Sequence, residues 1–431
     1  MNKLSAKDTF LVGLMLFSMF FGAGNLIFPP FLGAQAGVST WVAMAGFALS
    51  AIGLPVLGVV AVAKAGGLPQ LAGRVGKDFA VVFTILTYLS IGPCLAIPRT
   101  ASTSFEMAVT PLSGKSELWL RALYSLVFFG VALVIALRPE KLTDRLGRIT
   151  GPVLLTLLVI LVVACLLHPP GGYGPVGGPY TENALSQGFL DGYQTMDTIA
   201  ALNFGIIVAL NIQTRGVREE NAVVRSTIHA GWIAGAFLLV VYASLAHVGA
   251  VSGAAFPGAT NGAGVLTNLA DWLFGPWGTA LLGLVFVIAC LNTCIGLLSC
   301  CGEYFYNLCP KLSLRQWVLF FAAASFLVSI AGLDLILAVS VPVLNAIYPV
   351  AIVLILLGLA HRFTSQVPLC YPVGVAFTGV VSVLYALAQV GVPLSFLEML
   401  PWYEQGLCWV LPAAIGVALG AAASLFQKKA R

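Results

Sequence analysis

The stretch from Met19 to Pro30, which reads MFFGAGNLIFPP, constrains this chain more than any other feature. It lies inside an apolar run from Phe10 to about Gly37, long enough to cross a membrane as a helix. Glycine costs about 1 kcal/mol relative to alanine in a helix interior, and asparagine competes for backbone hydrogen bonds, so the GAGN segment predicts a break. Backbone groups freed inside a membrane need protein, ligand, ion or water as partners. The stretch is therefore a candidate binding site; the alternative is a glycine-rich packing face followed by a Pro-Pro stop.

Composition places the chain among integral membrane proteins. Of its 431 residues, 59% are hydrophobic and only 9% are charged, whereas soluble domains carry about 25% charged residues. The basic residues lie in short segments between apolar runs, so the net charge of +5 is not a nucleic-acid signal. We expect no separate soluble domain and no nucleic-acid partner.

Apolar windows of about 20 residues predict an all-α membrane protein with twelve transmembrane helices. The predicted spans are 9–36, 40–63, 79–110, 118–137, 150–168, 189–212, 228–250, 276–303, 316–332, 335–360, 369–391 and 406–426. The first and third are long enough to be tilted or broken. Between the seventh and eighth spans, Val265 to Phe274 is typical of a short amphipathic helix at the outer surface, which would serve as a lid or as a connector.

Loop charges fit this count when the amino terminus is cytoplasmic. Of the 21 Lys and Arg residues, all but Arg99, Lys115 and Arg121 then fall on the inner side, as the positive-inside rule requires. Adding or removing one span would place the basic residues on both sides of the membrane. The sequence therefore predicts a multi-pass protein with both termini cytoplasmic.

The sixth span is unusually polar and carries Asp197 in its outer half. An ionisable group at that depth is costly unless it is paired or faces a cavity. Asn203 and Gly205 are residue types that weaken a helix, as are Gly24 and Asn25 in the first span, and they predict a second break. The two interrupted spans would run in opposite directions, which indicates an inverted five-plus-five repeat and a secondary transporter. The predicted domains are a first repeat over 1–168, a second over 189–360 and two accessory carboxy-terminal spans over 369–431.

Several motifs resemble those of the bacterial branched-chain amino acid:cation symporters. They are FGAGNLIFPP from Phe21 to Pro30, IPRTA from Ile97 to Ala101 with the SFE of 104–106, and TMD from Thr195 to Asp197. That family belongs to the amino acid–polyamine–organocation superfamily. The resemblance implies a leucine-transporter-like inverted repeat followed by two extra spans. It also implies import of leucine, isoleucine and valine, driven by sodium, across the bacterial cytoplasmic membrane.

A zwitterionic apolar amino acid needs partners for its carboxylate, its ammonium group and its side chain. Helix amino termini supply N–H groups for a carboxylate, and unwound carbonyls hold ammonium and cations. We expect the carboxylate on the backbone of Gly22, Ala23, Gly24 and Asn25. The ammonium would meet carbonyls near Phe20 and Phe21 and from Ala200 to Phe204. The predicted side-chain pocket consists of Phe20, Phe21, Met196, Ala200 and Phe204, although aromatic residues in spans also face lipid or pack.

The resemblance implies a sodium site between the first break and hydroxyls of the eighth span. Thr293 is the predicted side-chain ligand, and the predicted carbonyl ligands are those of Ser18, Phe21 and Cys290. This chain has Thr293-Cys294 where other members carry Thr-Ser, and a thiol is a poor sodium ligand. The alternative role of Thr293 is a hydrogen bond to its own helix.

Three ionisable residues within spans have open roles. Asp197 would neutralise a bound cation, take a proton or cap the inner half-helix. Arg99 and Glu106 lie seven apart, on one helical face, and would pair with each other or with other charges, either as structure or as a gate.

The predicted function is therefore a sodium-coupled symporter that works by alternating access. No paired nucleophile and base, metal set or GxxxxGK[ST] loop indicates an enzyme or an ATPase, and no cofactor is expected besides sodium as a co-substrate. The alternatives are a proton-coupled amino acid transporter and a non-transporting amino acid sensor of the same fold. The expected partners are leucine, isoleucine, valine, sodium and the lipid bilayer.

Overall fold

Helices dominate the computed structural model, which describes residues 4–114, 117–137, 139–217 and 219–430. For 139–151, 429 and 430 it describes the backbone alone. The first-half helices are α1 (Ala6–Phe20), α2 (Ala23–Ala36), α3 (Thr40–Ala48), α4 (Leu54–Ala65), α5 (Leu68–Gly73), α6 (Lys77–Leu89), α7 (Ala96–Ala108), α8 (Thr110–Ser113), α9 (Leu118–Ala136) and α10 (Pro139–Leu167). The second-half helices are α11 (Tyr180–Asp191), α12 (Asp197–Thr214), α13 (Glu220–Gly253), α14 (Gly262–Leu308), α15 (Leu314–Ser329), α16 (Leu333–Leu359), α17 (His361–Thr364), α18 (Cys370–Gln389) and α19 (Val410–Ala430).

The predicted break in the first span is confirmed. α1 ends at Phe20 and α2 begins at Ala23, with an extended backbone between them. The alternative of a Pro-Pro stop is wrong, because α2 continues through Pro29 and Pro30 to Ala36.

Two other spans change their winding. A π-helical turn over Leu49–Gly53 joins α3 to α4, and another over Ser90–Cys94 joins α6 to α7. The second turn contains Gly92, whose ψ of −129° is not helical, followed by Pro93. The expectation that the long third span is tilted or broken is therefore confirmed.

Nine helices in the described part of the chain are long and apolar enough to cross a membrane, by length and composition. Shorter apolar helices cover Pro152–Leu167 and Leu314–Ser329. The count of twelve spans stays a prediction, as does the orientation of the termini, and Lys115 lies outside the described residues.

The helix predicted between the seventh and eighth spans is confirmed, and its position at the outer surface stays a prediction. α14 contains a kink at Gly275, which has φ +64°, so its first part from Gly262 to Phe274 forms a separate helical arm. Asn261 caps this arm by accepting from the Gly264 N–H, and it donates to Asp334 at the start of α16 (2.9 Å). The arm is therefore attached to a second helix as well as to its own.

Close helix packing holds α2 in the middle of the molecule. A Cβ on Gly249 of α13 would lie 1.9 Å from the Pro30 carbonyl oxygen, and one on Gly262 of the arm would lie 1.7 Å from that of Ile27. Only glycine allows backbones to approach this closely. α2 is consequently covered by α13 and by the arm, and its residues from Ala23 to Pro30 are all buried.

Candidate functional site

The first helix break leaves backbone groups of both signs next to each other. The Gly22 N–H donates to Asn25 Oδ1 (3.1 Å) instead of to the Ser18 carbonyl, which a continuing helix would require. The last carbonyls of α1 therefore face the gap, as do the first N–H groups of α2. The end of α1 is the negative pole of its dipole and the start of α2 is a positive pole. Such a pair suits a cation on one side and a carboxylate on the other.

The second break lies about two or more helical turns before its predicted position, since Met196 precedes Asn203 and Gly205. A 3₁₀ turn over Gly192–Thr195 ends at Met196, whose φ of 62° is left-handed, and α12 begins at Asp197. The expectation of a break at Asn203 and Gly205 is wrong, because α12 runs through both residues.

Both misassigned residues have local reasons to stay helical. Asn203 donates from Nδ2 to the Ile199 carbonyl one turn back (3.0 Å), which occupies its amide without breaking the helix. Gly205 packs against α4, where a Cβ would lie 3.0 Å from the side chain of Val62. The glycine therefore serves helix packing, and the carbonyls from Ala200 to Phe204, the predicted ammonium partners, lie within the continuous helix α12.

Three buried side chains join the two breaks to α13. Asn25 Nδ2 donates to Asp197 Oδ2 (2.6 Å) and also to the Tyr242 hydroxyl, and that hydroxyl donates to the same carboxylate oxygen (3.1 Å). All three side chains are at most 3% exposed. Asp197 also occupies the first turn of α12, where the helix dipole favours a negative charge. A carboxylate that is costly to bury thus has two donors and a helix amino terminus.

Arg99 lies between the same two breaks. Its side chain is 4% exposed, Nη1 donates to the Gln194 carbonyl (2.6 Å), and the guanidinium lies 5.2 Å from the Phe28 ring centre. Glu106, for which the sequence predicts a pairing with Arg99 or with other charges, lines a separate cleft with Arg121 and Ser125. Of the two, Arg99 belongs to the candidate site.

One predicted sodium ligand, the Thr293 hydroxyl, lies beside the first break. A Cβ on Gly22 would be 3.8 Å from Thr293 Oγ1, so the eighth-span hydroxyl faces the gap. Thr293 does donate to the Ala289 carbonyl (3.2 Å), the alternative predicted for it. A hydroxyl keeps two acceptor lone pairs after donating its proton, so this bond leaves it able to ligate a cation. Cys290 and Cys294 are buried in the same helix, and Ser18 is exposed.

The predicted pocket side chains fall into two groups. Phe20 and Phe21 pack with the α1–α13 side of the molecule, where Phe21 stacks on Phe17 at 5.1 Å. Met196 is buried and Phe204 partly buried in the cluster that contains Tyr193. Ala200 is partly buried on α12. The groups that contain Met196 and Phe20 therefore belong to different hydrophobic clusters.

Sequence reasoning missed Tyr193, Gln194, Tyr242 and Tyr348. Tyr193 stacks on Tyr348 of α16 with ring centres 4.2 Å apart. Tyr193 and Gln194 lie four and three residues before Asp197, so their polarity within a predicted span was a usable signal. Tyr242 and Tyr348 are single polar residues in long apolar helices, and nothing in the sequence connects them to the breaks.

Comparison with known proteins identifies a family and relatives for the whole chain. The sequence model of the family described as "Branched-chain amino acid transport protein" matches residues 5–427. The branched-chain amino acid permease BraB of Bacillus subtilis (strain 168) is 40% identical over 432 residues, which covers 99% of this chain and 97% of the relative. The branched-chain amino acid transport system 3 carrier protein of Pseudomonas aeruginosa is 44% identical over 436 residues, with 99% and 98% covered.

A solved structure gives the fold. Mhp1, a nucleobase-cation-symport-1 family transporter in a closed conformation with bromovinylhydantoin bound, superposes with a TM-score of 0.65 at 14% identity. The match covers 98% of this chain and 93% of Mhp1. The chain therefore has the leucine-transporter-like fold, as its sequence predicts.

Proposed function

The chain belongs to the branched-chain amino acid transport protein family, whose members are transport proteins and not enzymes, and from this we propose that it imports leucine, isoleucine and valine together with sodium. The observation that carries the proposal is the pair of adjoining helix breaks, at Phe21–Gly22 and at Met196, joined by Asn25, Asp197 and Tyr242. Unpaired backbone groups of both signs are what a zwitterion and a cation need.

The amino acid carboxylate binds the N–H groups at the start of α2, from Gly22 to Asn25. Its ammonium group binds the carbonyls that end α1, near Phe20 and Phe21. Met196, Ala200 and Phe204 line the space for the apolar side chain, opposite Phe20 and Phe21. Sodium is held by the Thr293 hydroxyl and by the carbonyls of Ser18, Phe21 and Cys290.

Transport proceeds by alternating access. The repeats over 1–168 and 189–360 move relative to each other around this central site, and the helices over 369–431 are accessory. The protein spans the bacterial cytoplasmic membrane with both termini in the cytoplasm. The arm from Gly262 to Phe274 packs against α2, which supports its role as a lid on the outer side.

Proton coupling is the second candidate, and one observation favours it. Asp197 is a buried carboxylate inside the candidate site, and a proton is the simplest charge for it to carry during transport. In that case Asp197 replaces Thr293 as the coupling residue.

Labelled leucine uptake into proteoliposomes under separate sodium and proton gradients tests the proposal. We expect accumulation under the inward sodium gradient alone. Thr293→Ala should then raise the sodium concentration needed for half-maximal uptake by about tenfold, which corresponds to about 1.4 kcal/mol.

The matched control is Ser299→Ala, because Ser299 lies on the same helix and also donates to a backbone carbonyl one turn back (2.9 Å). It should leave the sodium requirement unchanged. Accumulation under the proton gradient alone would show that the proposed sodium site does not drive transport, and the coupling role would pass to Asp197. Leucine binding without accumulation under either gradient would make the protein a sensor.

A further inference from the structure

The guanidinium of Arg99 occupies the space between the two helix breaks. It extends from α7 to the Gln194 carbonyl, just before α12, and lies over Phe28 of α2. Its Nη2 is 2.7 Å from the point that a Cβ on Gly24 would occupy, so it lies against the first turn of α2. One end of the group is thus fixed at the second break and the other is directed at the first.

Most of the hydrogen-bonding capacity of this group is unused by the protein. A guanidinium carries five N–H donors, and among the described residues Arg99 makes one hydrogen bond, to the Gln194 carbonyl. On the 3₁₀ turn that contains Gln194, two side-chain atoms, Gln194 Oε1 and the Tyr193 hydroxyl, are also buried with no partner in the described structure. An unmet buried polar group costs about 1–3 kcal/mol, and more when it is charged. The unused donors of Arg99, together with these two atoms on residues of the second break, indicate a polar ligand.

The charges around Arg99 determine the sign of that ligand. The Asp197 carboxylate, the nearest acidic group, accepts from Asn25 and Tyr242, and Arg99 forms no hydrogen bond with it in the described structure. The amino termini of α2 and α12 add partial positive charge to that of the guanidinium. An anionic group is therefore favoured beside Nη2, at the start of α2.

We propose that the Arg99 guanidinium pairs with the carboxylate of the transported amino acid. A carboxylate presents two oxygens with the spacing of the guanidinium fork, which makes the contact both strong and directional. The inference rests on the proposed function and adds a charged residue of α7 to a site otherwise built from backbone groups.

Direct binding of leucine and of leucinamide, which lacks the carboxylate, tests the pairing. Both ligands are titrated calorimetrically into the purified full chain and into Arg99→Gln and Arg99→Lys. We expect the wild-type preference for leucine to fall about tenfold or more in Arg99→Gln, or about 1.4 kcal/mol. Leucinamide should bind the wild-type protein and Arg99→Gln with similar affinity, because it has no carboxylate for Arg99 to recognise.

A control variant and the conservative Arg99→Lys variant complete the test. Arg121→Gln is the matched control, since Arg121 also donates to a backbone carbonyl, that of Ala331 (3.0 Å), and should keep the wild-type preference. Arg99→Lys keeps the positive charge but not the guanidinium fork, so its preference for leucine should fall about threefold. It replaces Arg99→Gln as the test variant if Arg99→Gln does not insert into the membrane.

The outcomes separate this inference from the proposed function. An Arg99 variant that binds leucine more weakly but keeps the wild-type preference over leucinamide would show that Arg99 only positions Gln194, and the pairing would be wrong. Wild-type protein that binds no branched-chain amino acid would overturn the proposed function itself.

Discussion

Gly24 illustrates at the scale of one residue why the first-span motif needs its glycines. The position is buried in the first turn of α2, and a Cβ there would lie 2.7 Å from Arg99 Nη2 and 3.3 Å from the Phe28 ring. Arg99 cannot move aside easily, because its Nη1 is bonded to the Gln194 carbonyl in a buried setting. The glycine therefore keeps open the contact between the guanidinium and α2.

Gly24→Ala should disable transport without preventing membrane insertion. The added methyl group displaces Arg99 and costs about 1–3 kcal/mol by overpacking. We expect leucine uptake in proteoliposomes to fall by about tenfold or more, at an unchanged amount of inserted protein. Gly130→Ala is the control, since nothing lies within 4 Å of a Cβ at that position of α9. Normal uptake by Gly24→Ala would contradict the close packing described here.

At the scale of elements, the break at Phe21–Gly22 makes α1 a short helix that is separate from α2. Arg215, at the end of α12, forms an ion pair with Asp8 in the first turn of α1 (2.7 Å). It also donates from Nε to Asn211 Oδ1 (3.1 Å). Because both members are partly exposed, the pair contributes modestly and is screened by salt. It is placed to bias α1 toward α12 without fixing it there.

Arg215→Ala should loosen α1 selectively. We expect amide hydrogen exchange over residues 6–20, measured by mass spectrometry, to accelerate about threefold at low salt and less at high salt. The exchanged pair Asp8→Arg with Arg215→Asp should restore the slow rate. Arg225→Ala, which removes an exposed arginine bonded to the Asn221 carbonyl, should have no effect on α1. Equal acceleration by both single variants would mean that general destabilisation, and not this pair, controls α1.

At the scale of the whole molecule, Tyr371 connects the carboxy-terminal helices to the rest of the fold. It is 2% exposed on α18, and its hydroxyl donates to the Leu357 carbonyl of α16 (2.8 Å). The same oxygen accepts from Arg74, between α5 and α6 (3.1 Å). α19 packs against α18 closely, since a Cβ on Gly420 would lie 2.4 Å from the Leu369 carbonyl. One hydroxyl thus joins elements from both proposed repeats and the accessory pair.

Tyr371→Phe should lower stability and leave transport intact. It removes the hydrogen bonds that the Tyr371 hydroxyl makes with the Leu357 carbonyl and with Arg74, at a cost of about 0.5–1.5 kcal/mol each, although Thr364 still donates to that carbonyl. The unfolding temperature in detergent should therefore fall, while the KM for leucine stays at the wild-type value. Tyr306→Phe, at a residue that is 41% exposed, serves as the control and should change neither quantity. A raised KM in Tyr371→Phe would assign the carboxy-terminal helices a direct part in transport.

The sequence alone determined the class of protein, the fold and the first helix break. Long apolar runs and few charges are properties of each segment by itself, and a Gly-Ala-Gly-Asn run weakens a helix wherever it occurs, so local chemistry was sufficient. The motif resemblance added the family. The comparisons confirmed the family and the fold, and the structure confirmed the break at Phe21–Gly22.

Only the tertiary structure decided where the second break lies and which side chains meet there. Asn203 and Gly205 have the composition of a break, but a back-bond to Ile199 and packing against Val62 keep α12 helical. Met196 takes the left-handed conformation, for which its sequence gives no reason. Asn25, Arg99, Asp197 and Tyr242 are far apart in sequence and come together through the packing of α2, α7, α12 and α13. Such partners depend on helix packing across the whole chain, which no local pattern encodes.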